Sequence, residues 1–170
     1  MNISVDPASP DERDIIFNLL QYYLHNFSEF EDDSTDEQGM YDYPYLDFYW
    51  SESARLPFLI RLNDNIAGFA LVRTDMDPRN GEAFMDMAEF FVLRVYRKQG
   101  VGNFAARDLW NRFPGFWHVS VLNSNKAAYP FWKNAIESYT RNQYSEEADT
   151  KALGRAVTFV FSSSPASVLV

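Results

Sequence analysis

The amino-acid sequence predicts one mixed α/β domain, and three observations lead to this fold class. A chain of 170 residues with 46% hydrophobic and 17% aromatic content is long and apolar enough to bury one core. Apolar runs of strand length are separated by turn residues, and segments with apolar residues at helical spacing alternate with those runs. We expect residues 1–162 to form the domain and residues 163–170 to form a C-terminal tail.

The composition excludes several classes of function. The chain has no cysteine, which excludes a disulfide scaffold, thiol catalysis and cysteine-ligated metals. Its two histidines, His25 and His118, lie far apart in the sequence, so we expect no metal site. The net charge of −9 argues against nucleic-acid binding, and no apolar stretch approaches the length of a membrane span. We therefore expect a cytoplasmic protein that binds neither nucleic acid nor membranes.

The first helix is predicted over residues 9–27. Ser9 suits the N-cap and Pro10 suits the first helical position. From Ile15 to Tyr23 the apolar residues recur at helical spacing, so this face is expected to pack on the core.

The segment that follows is acidic and aromatic. A polar loop is expected over residues 28–42, and a second helix is expected to begin near Pro44. Residues 14–52 contain ten carboxylates and no lysine or arginine, and residues 17–50 contain eleven aromatic side chains. Two interpretations stay open. The acids and rings bind a cationic amine through ion pairs and cation–π contacts, or they form a solvated loop beside an ordinary aromatic core.

Three antiparallel strands are predicted next. Residues 56–62 and 66–74 are apolar runs separated by the sequence Asn-Asp-Asn at residues 63–65, which is a hairpin signal. A second turn over residues 76–82 leads into a central strand over residues 83–95. These strands are expected to form the first half of the sheet.

A basic turn with two glycines follows the central strand. It reads Arg97-Lys98-Gln99-Gly100-Val101-Gly102. A helix is expected over residues 100–112, and the N–H groups of its first turn favour a phosphate group. Both glycines allow the backbone to approach an anion and to adopt positive φ. The alternative that they only serve the turn stays open, because neither the dinucleotide-binding nor the Walker pattern is complete.

The rest of the chain adds further strands and one helix. A strand is predicted over residues 116–122, a helix over residues 125–137 and a final strand over residues 156–162. Another strand is expected near residues 139–144, within a polar segment. His118 lies on a predicted strand and is expected to be packed and hydrogen-bonded rather than catalytic.

Two motifs resemble those of a known family. Val92, Arg97, Gly100 and Gly102 form V-x-x-x-x-R-x-x-G-x-G, which is similar to the acyl-CoA-binding motif of the GNAT superfamily of N-acetyltransferases. Residues 125–132 read N-K-A-A-Y-P-F-W, which is similar to the N-x-x-A-x-x-F-Y helix of that family. The resemblance implies a GNAT-type single domain with acetyl-CoA as its cofactor. Its mostly antiparallel, splayed sheet would have six to seven strands flanked by about four helices.

The resemblance also implies the cofactor-binding residues. In this family the central strand is splayed or bulged, which frees backbone N–H groups for the pantetheine arm and the thioester carbonyl. Carried over, the Val92 N–H is the oxyanion donor, and residues 98–103 hold the pyrophosphate. The implied set is Phe90, Phe91, Val92, Arg97, Lys98, Gln99, Gly100, Val101, Gly102, Asn103, Asn125 and Phe131.

Two carboxylates are candidates for the general base that an ammonium substrate requires. The family often places an acid six residues before the valine of its motif, which here is Asp86, and Glu89 is the second candidate. On a regular strand Asp86 shares a face with Phe90 and Val92, whereas Glu89 points to the other face. A bulge reverses this parity for one of the two acids.

The general acid departs from the family pattern. The family frequently has a tyrosine that protonates the leaving thiolate, but Trp132 stands at that position, and an indole cannot donate a proton in this way. Tyr129, three residues earlier on the same helical face, is the candidate substitute.

The leading hypothesis is an acetyl-CoA-dependent N-acetyltransferase. It would transfer the acetyl group to a primary amine of a small molecule or peptide by direct attack in a ternary complex, since no cysteine is present for an acyl-enzyme. The acidic segment suits a small polycationic acceptor. One alternative is a non-catalytic acyl-CoA-binding sensor or interaction module, and another is an acidic adaptor for basic proteins. A homodimer is compatible with the sequence.

Overall fold

A computed structural model describes residues 1–148 and 155–163 as one seven-stranded sheet with helices on both faces. The strands are β1 (Ile3–Pro7), β2 (Arg55–Leu62), β3 (Asn65–Met76), β4 (Ala83–Val92), β5 (Gly115–Leu122), β6 (Tyr144–Ala148) and β7 (Ala156–Ser163). The helices are α1 (Arg13–Phe27), α2 (Phe48–Ser51), α3 (Val101–Arg112) and α4 (Ala128–Thr140), with 3-10 turns at Pro10–Glu12 and Arg94–Tyr96.

The strand order is β1-β2-β3-β4-β5-β7-β6, and every neighbouring pair is antiparallel except β4 and β5. This confirms the predicted fold class, a mixed α/β domain with a mostly antiparallel sheet. Residues 164–170, most of the expected C-terminal tail, lie outside the described residues. No helix in the described part of the chain is long and apolar enough to cross a membrane.

Local sequence signals account for several of these elements. The backbone N–H of Ser9 donates to Oε2 of Glu12 at 2.9 Å, as in a capping box, at the start of the first helical segment. Asn63 and Asp64 have φ of 48° and 66°, and they join β2 to β3 as a two-residue turn. Positive φ at both central residues is what the favoured hairpin turn requires.

Other boundaries were predicted wrongly. The second helix begins at Phe48, because residues 44–47 form turns. The central strand ends at Val92, where a 3-10 turn takes over after one residue. The strand expected near residues 139–144 is β6, which begins at Tyr144 because α4 continues to Thr140. β1 was not predicted at all.

Two apolar layers cover the sheet. One lies between the sheet and helices α3 and α4, with Trp110 and Trp117 fully buried within it. The other lies between the sheet and helices α1 and α2, and it includes Ile16, Leu20 and Phe69. Burial of this apolar surface on both faces is the main stabilising contribution to the fold.

The sheet opens between β4 and β5. These parallel strands pair only at Met85 with Trp117 and at Asp86 with His118, and beyond those pairs the strands separate. The splayed sheet that the family resemblance implied is therefore present, and it creates a gap in the centre of the molecule.

Candidate active site

The gap between β4 and β5 is a cavity of about 390 Å³. Residues 87–90 of β4 and residues 119–122 of β5 form its walls. On one side it meets the C-terminal half of α1 together with Glu31 and Asp33, and on the other it meets α4 at Trp132. The cavity therefore joins an acidic surface to an apolar one.

A β-bulge at Ala88 determines which β4 side chains share a face. Leu71 of β3 pairs with Glu89, and the next residue pairs with Met87, so Ala88 has no partner on β3. Met87 packs in the layer under α3 and α4, whereas Phe91 packs in the layer under α1 and α2. Since side chains alternate on each side of the bulge, Asp86 and Glu89 both face α1 and α2.

Glu89 is a partly buried carboxylate held by two phenols. The Tyr43 hydroxyl donates to Oε1 of Glu89 at 3.0 Å. Burial raises the pKa of Glu89 to about 7, and the nearby charge of Asp86 adds to this effect. Hydrogen bonding from Tyr23 and Tyr43 and the charge of Arg73 oppose the rise. A carboxyl with this pKa exchanges a proton readily near neutral pH.

Asp86 lies in a different environment. Its Oδ2 accepts hydrogen bonds from Nη2 of Arg73 at 2.7 Å and from Nε at 2.8 Å, and its side chain is only 14% exposed. It stands just outside the cavity wall, opposite His118. The His118 ring stacks on Phe84 at 3.7 Å between centroids, and burial lowers the His118 pKa. The geometry makes Asp86 the partner of an arginine.

The last residues of β4 present peptide groups to the cavity side. The Leu93 N–H donates to the Ala67 carbonyl at 2.8 Å, and the Phe91 carbonyl lies against Gly68, so both groups point toward β3. Because peptide groups alternate along a strand, the N–H groups of Phe90 and Val92 point the other way, toward the gap. This is the direction that an oxyanion donor at Val92 requires.

Arg97 contacts the same strand end. Its Nε donates to the Val92 carbonyl at 2.7 Å, and its guanidinium lies 5.6 Å from the centroid of the Phe91 ring. Burial lowers the pKa of Arg97, and Arg94 adds to this effect. The guanidinium is therefore directed at the end of β4.

The turn before α3 leaves its backbone N–H groups exposed to a ligand. Gly100 has φ of 82°, and a Cβ at this position would meet nothing within 4 Å. The first N–H of this helix with a backbone acceptor is that of Phe104, which donates to the Gly100 carbonyl at 2.9 Å. The N–H groups of residues 101–103 therefore lie in the first turn of α3, where the helix itself supplies no acceptor for them.

The other residues of the turn have separate roles. The Gln99 side chain donates to the Val95 carbonyl at 2.8 Å, and the Val101 side chain is buried in the core, so neither side chain is directed at a ligand. Gly102 serves packing, because a Cβ there would lie 3.1 Å from the Phe131 ring. The Phe131 ring in turn stacks on the Phe90 ring, with 6.2 Å between the two centroids.

The candidates near α4 separate into two groups. Asn125 lines the cavity, and its Oδ1 accepts a hydrogen bond from the Ala128 N–H at 3.1 Å at the start of α4. Tyr129 is directed away, toward β6, where its hydroxyl donates to Oε2 of Glu146 at 2.8 Å. Trp132, not Tyr129, lines the cavity. This placement gives no support to Tyr129 as the general acid.

Sequence reasoning missed Tyr23 and Tyr43 as individual site residues. The aromatic and acidic composition of residues 17–50 indicated the region, but nothing local distinguishes these two tyrosines from the others. No group of three metal-ligating side chains was found among the described residues.

Comparisons with known proteins agree with this geometry. The profile of the Acetyltransferase (GNAT) family matches residues 19–135, whereas curated protein sequences give no match. A GNAT acetyltransferase from Staphylococcus aureus Mu50 has a TM-score of 0.65 at 14% identity, covering 96% of this chain and 100% of its own. The PaiA N-acetyltransferase from Thermoplasma acidophilum, in complex with coenzyme A, has a TM-score of 0.61 at 10% identity, covering 95% and 99%.

A third similar structure is an aminoglycoside acetyltransferase from an uncultured soil metagenomic sample, in complex with trehalose. Its TM-score is 0.57 at 14% identity, covering 78% of this chain and 86% of its own. At such identities the structures show a shared fold, and the family profile spans more than half of the chain. The chain therefore belongs to the GNAT family of acetyltransferases.

Proposed function

We propose that this protein is an acetyl-CoA-dependent N-acetyltransferase that acetylates a primary amine by direct attack in a ternary complex. The observation that carries the proposal is Glu89, a half-buried carboxyl with a pKa of about 7 that lines the cavity between the diverging strands. Members of this family use acetyl-CoA, and this chain has groups that fit both ends of that molecule.

The turn before α3 fits a diphosphate. The N–H groups of residues 101–103 belong to the first turn of a twelve-residue helix, so they have no acceptor within the helix and lie at its positive end. The bare Cα of Gly100 leaves the approach open. At the other end, the N–H of Val92 faces the gap, where it can donate to a carbonyl oxygen.

Acetyl-CoA supplies an activated thioester when bound. The protein's part is to place the amine beside it and to remove a proton from the ammonium form. Glu89 would accept that proton, so that the neutral nitrogen could bond to the acetyl carbon as the carbon–sulfur bond broke. A second proton of the nitrogen would pass to the leaving thiolate, and CoA would leave as the thiol. The Val92 N–H stabilises the charge that develops on the carbonyl oxygen, an effect worth about 3 kcal/mol in other acyl-transfer sites.

The acceptor end of the cavity suits a small polycationic amine. Glu31 and Asp33 line it together with the rings of Tyr23 and Phe27, and no lysine or arginine among residues 1–148 and 155–163 does. A second ammonium group on the acceptor would then face carboxylates while the first faces Glu89. The structurally similar aminoglycoside acetyltransferase takes its name from acceptors of this polycationic kind, which favours the same class here.

Neutralising the cavity acids is expected to weaken acceptor binding selectively. Glu31→Gln and Asp33→Asn should each raise KM for a diamine or polyamine about fivefold, because a partly exposed ion pair contributes about 1 kcal/mol. KM for acetyl-CoA should stay unchanged. Asp32→Asn is the matched control, because its exposed carboxylate is adjacent in sequence but does not line the cavity. An equal effect in all three variants would indicate only long-range attraction.

The proposal as a whole is tested by thiol release and thermal stability. CoA at about 100 times its Kd should stabilise the protein by about 2.7 kcal/mol, and acetyl-CoA should release CoA thiol when polyamines, aminoglycosides or peptide amines are added. Trp132 in the cavity and the distant Tyr129 favour one second candidate, a non-catalytic acyl-CoA-binding module. Stabilisation by CoA without thiol release on any amine would support that module instead.

A further inference from the structure

Three tyrosines from different elements surround the Glu89 carboxylate. Tyr23 belongs to α1, Tyr43 to the loop between α1 and α2, and Tyr49 to α2. All three hydroxyls influence one another or Glu89 electrostatically, and burial raises the pKa of each phenol above its ordinary value. The rings therefore remain protonated donors throughout the working pH range.

The three hydroxyls are not equivalent. Tyr43 donates to Oε1 of Glu89 at 3.0 Å, and hydrogen bonding from Tyr23 also lowers the pKa of the same carboxyl. The Tyr49 hydroxyl is fully buried and makes no direct hydrogen bond to Glu89, although it interacts with the Tyr43 hydroxyl and with the charge of Glu89. Two phenols thus hold the carboxylate, and a third stands in the same cluster without doing so.

The chain around Tyr43 is fixed on α1 independently of Glu89. The Tyr41 N–H donates to Oε1 of Gln21 at 2.8 Å, and Nε2 of Gln21 donates back to the Tyr41 carbonyl at 3.1 Å. This reciprocal pair ties the loop to the middle of the helix two residues before Tyr43. The Tyr43 hydroxyl consequently approaches Glu89 from a fixed backbone, as preorganised catalytic groups require.

The Tyr23 ring is equally constrained. It packs edge-on against Phe69 at 5.9 Å and against Phe91 at 6.0 Å, so its hydroxyl cannot move far from the carboxylate. The charge of Asp86 on its own strand raises the pKa of Glu89, and the charge of Arg73 on β3 lowers it. Glu31 and Asp33 line the same cavity from the loop after α1.

From this arrangement we infer that Tyr43, assisted by Tyr23, is a positioning residue for Glu89. The two hydroxyls hold the carboxylate at the cavity wall and keep it able to ionise there. The inference rests on the proposed function, since it assigns Tyr43 and Tyr23 the task of holding Glu89, the base of the proposed reaction. It also gives the acidic loop a catalytic task beyond its charge, because the loop delivers Tyr43.

The test compares Tyr43→Phe and Tyr23→Phe with the control Tyr45→Phe. Loss of a hydrogen bond to a charged group should move the acidic limb of the kcat profile of the first two variants up by roughly one pH unit. Their kcat at pH 7 should fall about fivefold to tenfold and recover to within about twofold at pH 9, with KM for acetyl-CoA unchanged. Tyr45→Phe removes an exposed hydroxyl two residues further along the same loop, so its profile should match that of the unaltered protein.

A second readout does not depend on turnover. In protein labelled with 13C at the glutamate carboxyl, the NMR titration of Glu89, assigned with Glu89→Gln, should move to higher pH in Tyr43→Phe and not in Tyr45→Phe. An unchanged titration in Tyr43→Phe, or an equal shift in Tyr45→Phe, would overturn the inference. Absence of thiol release in the unaltered protein would instead count against the proposed function, and the titration would still decide the role of Tyr43.

Discussion

Replacing Glu89 with glutamine is expected to lower kcat by about 10²- to 10⁴-fold, the usual contribution of a positioned general base. Glutamine has the same shape and still accepts the hydrogen bond that Tyr43 donates to Oε1, so the site should keep its structure. The lost function is proton removal from the ammonium group. Steady-state kinetics with acetyl-CoA and a reactive amine measure the effect, and unchanged stabilisation by CoA confirms that cofactor binding survives.

The pH profile separates the two carboxylates of β4. A base must be deprotonated to act, so the rate of the unaltered protein should rise with pH through the pKa of Glu89, which is about 7. In Glu89→Gln this rising limb of the pH profile should disappear. Asp86→Asn should keep it, because Asp86 is paired with Arg73 and lies just outside the cavity wall. The reverse result, a limb that survives Glu89→Gln and is lost in Asp86→Asn, would make Asp86 the base.

Much of the fold follows from local signals. The turn at Asn63 and Asp64 and the positive φ at Gly100 were predictable because the chemistry of these turns lies within the residues that form them. β1 was missed for the opposite reason. Residues 3–7 form a short edge strand that ends in proline, and the β2 residues with which they pair lie more than fifty residues away in the sequence. A strand of this kind is stabilised by its partner rather than by its own pattern.

The same distinction between local and long-range signals determines which parts of the candidate site could be predicted. The basic turn at residues 97–102 is contiguous in sequence, so it could be identified as a candidate phosphate site, as could the acids Asp86 and Glu89 as candidate bases. The bulge at Ala88 could not, because it exists only in the register between β3 and β4. The partner of Glu89 was equally hidden, since Tyr43 lies 46 residues away on a loop of irregular structure. Thus the groups were predictable but their juxtaposition was not.

The register between β3 and β4 also predicts which glycine the fold depends on most. Gly68 lies on β3 opposite Val92, and a Cβ added there would lie 2.0 Å from the Phe91 carbonyl oxygen and 3.0 Å from the Val92 Cα. Both are backbone atoms of a central strand, so neither atom can move away without a shift of β4. The close approach of the two backbones therefore requires a residue without a side chain.

Gly68→Ala should accordingly destabilise the protein by roughly 3 kcal/mol or more and lower its Tm by roughly 10 °C. Gly102→Ala is the control, because the Cβ there would meet the Phe131 ring at 3.1 Å, and a side chain can rotate away. Thermal and denaturant unfolding of both variants measure the difference. Because the displaced segment carries the Val92 N–H, the folded fraction of Gly68→Ala should also lose kcat. Equal stability of the two variants would mean that β3 and β4 are not in the register that places Val92 at the gap.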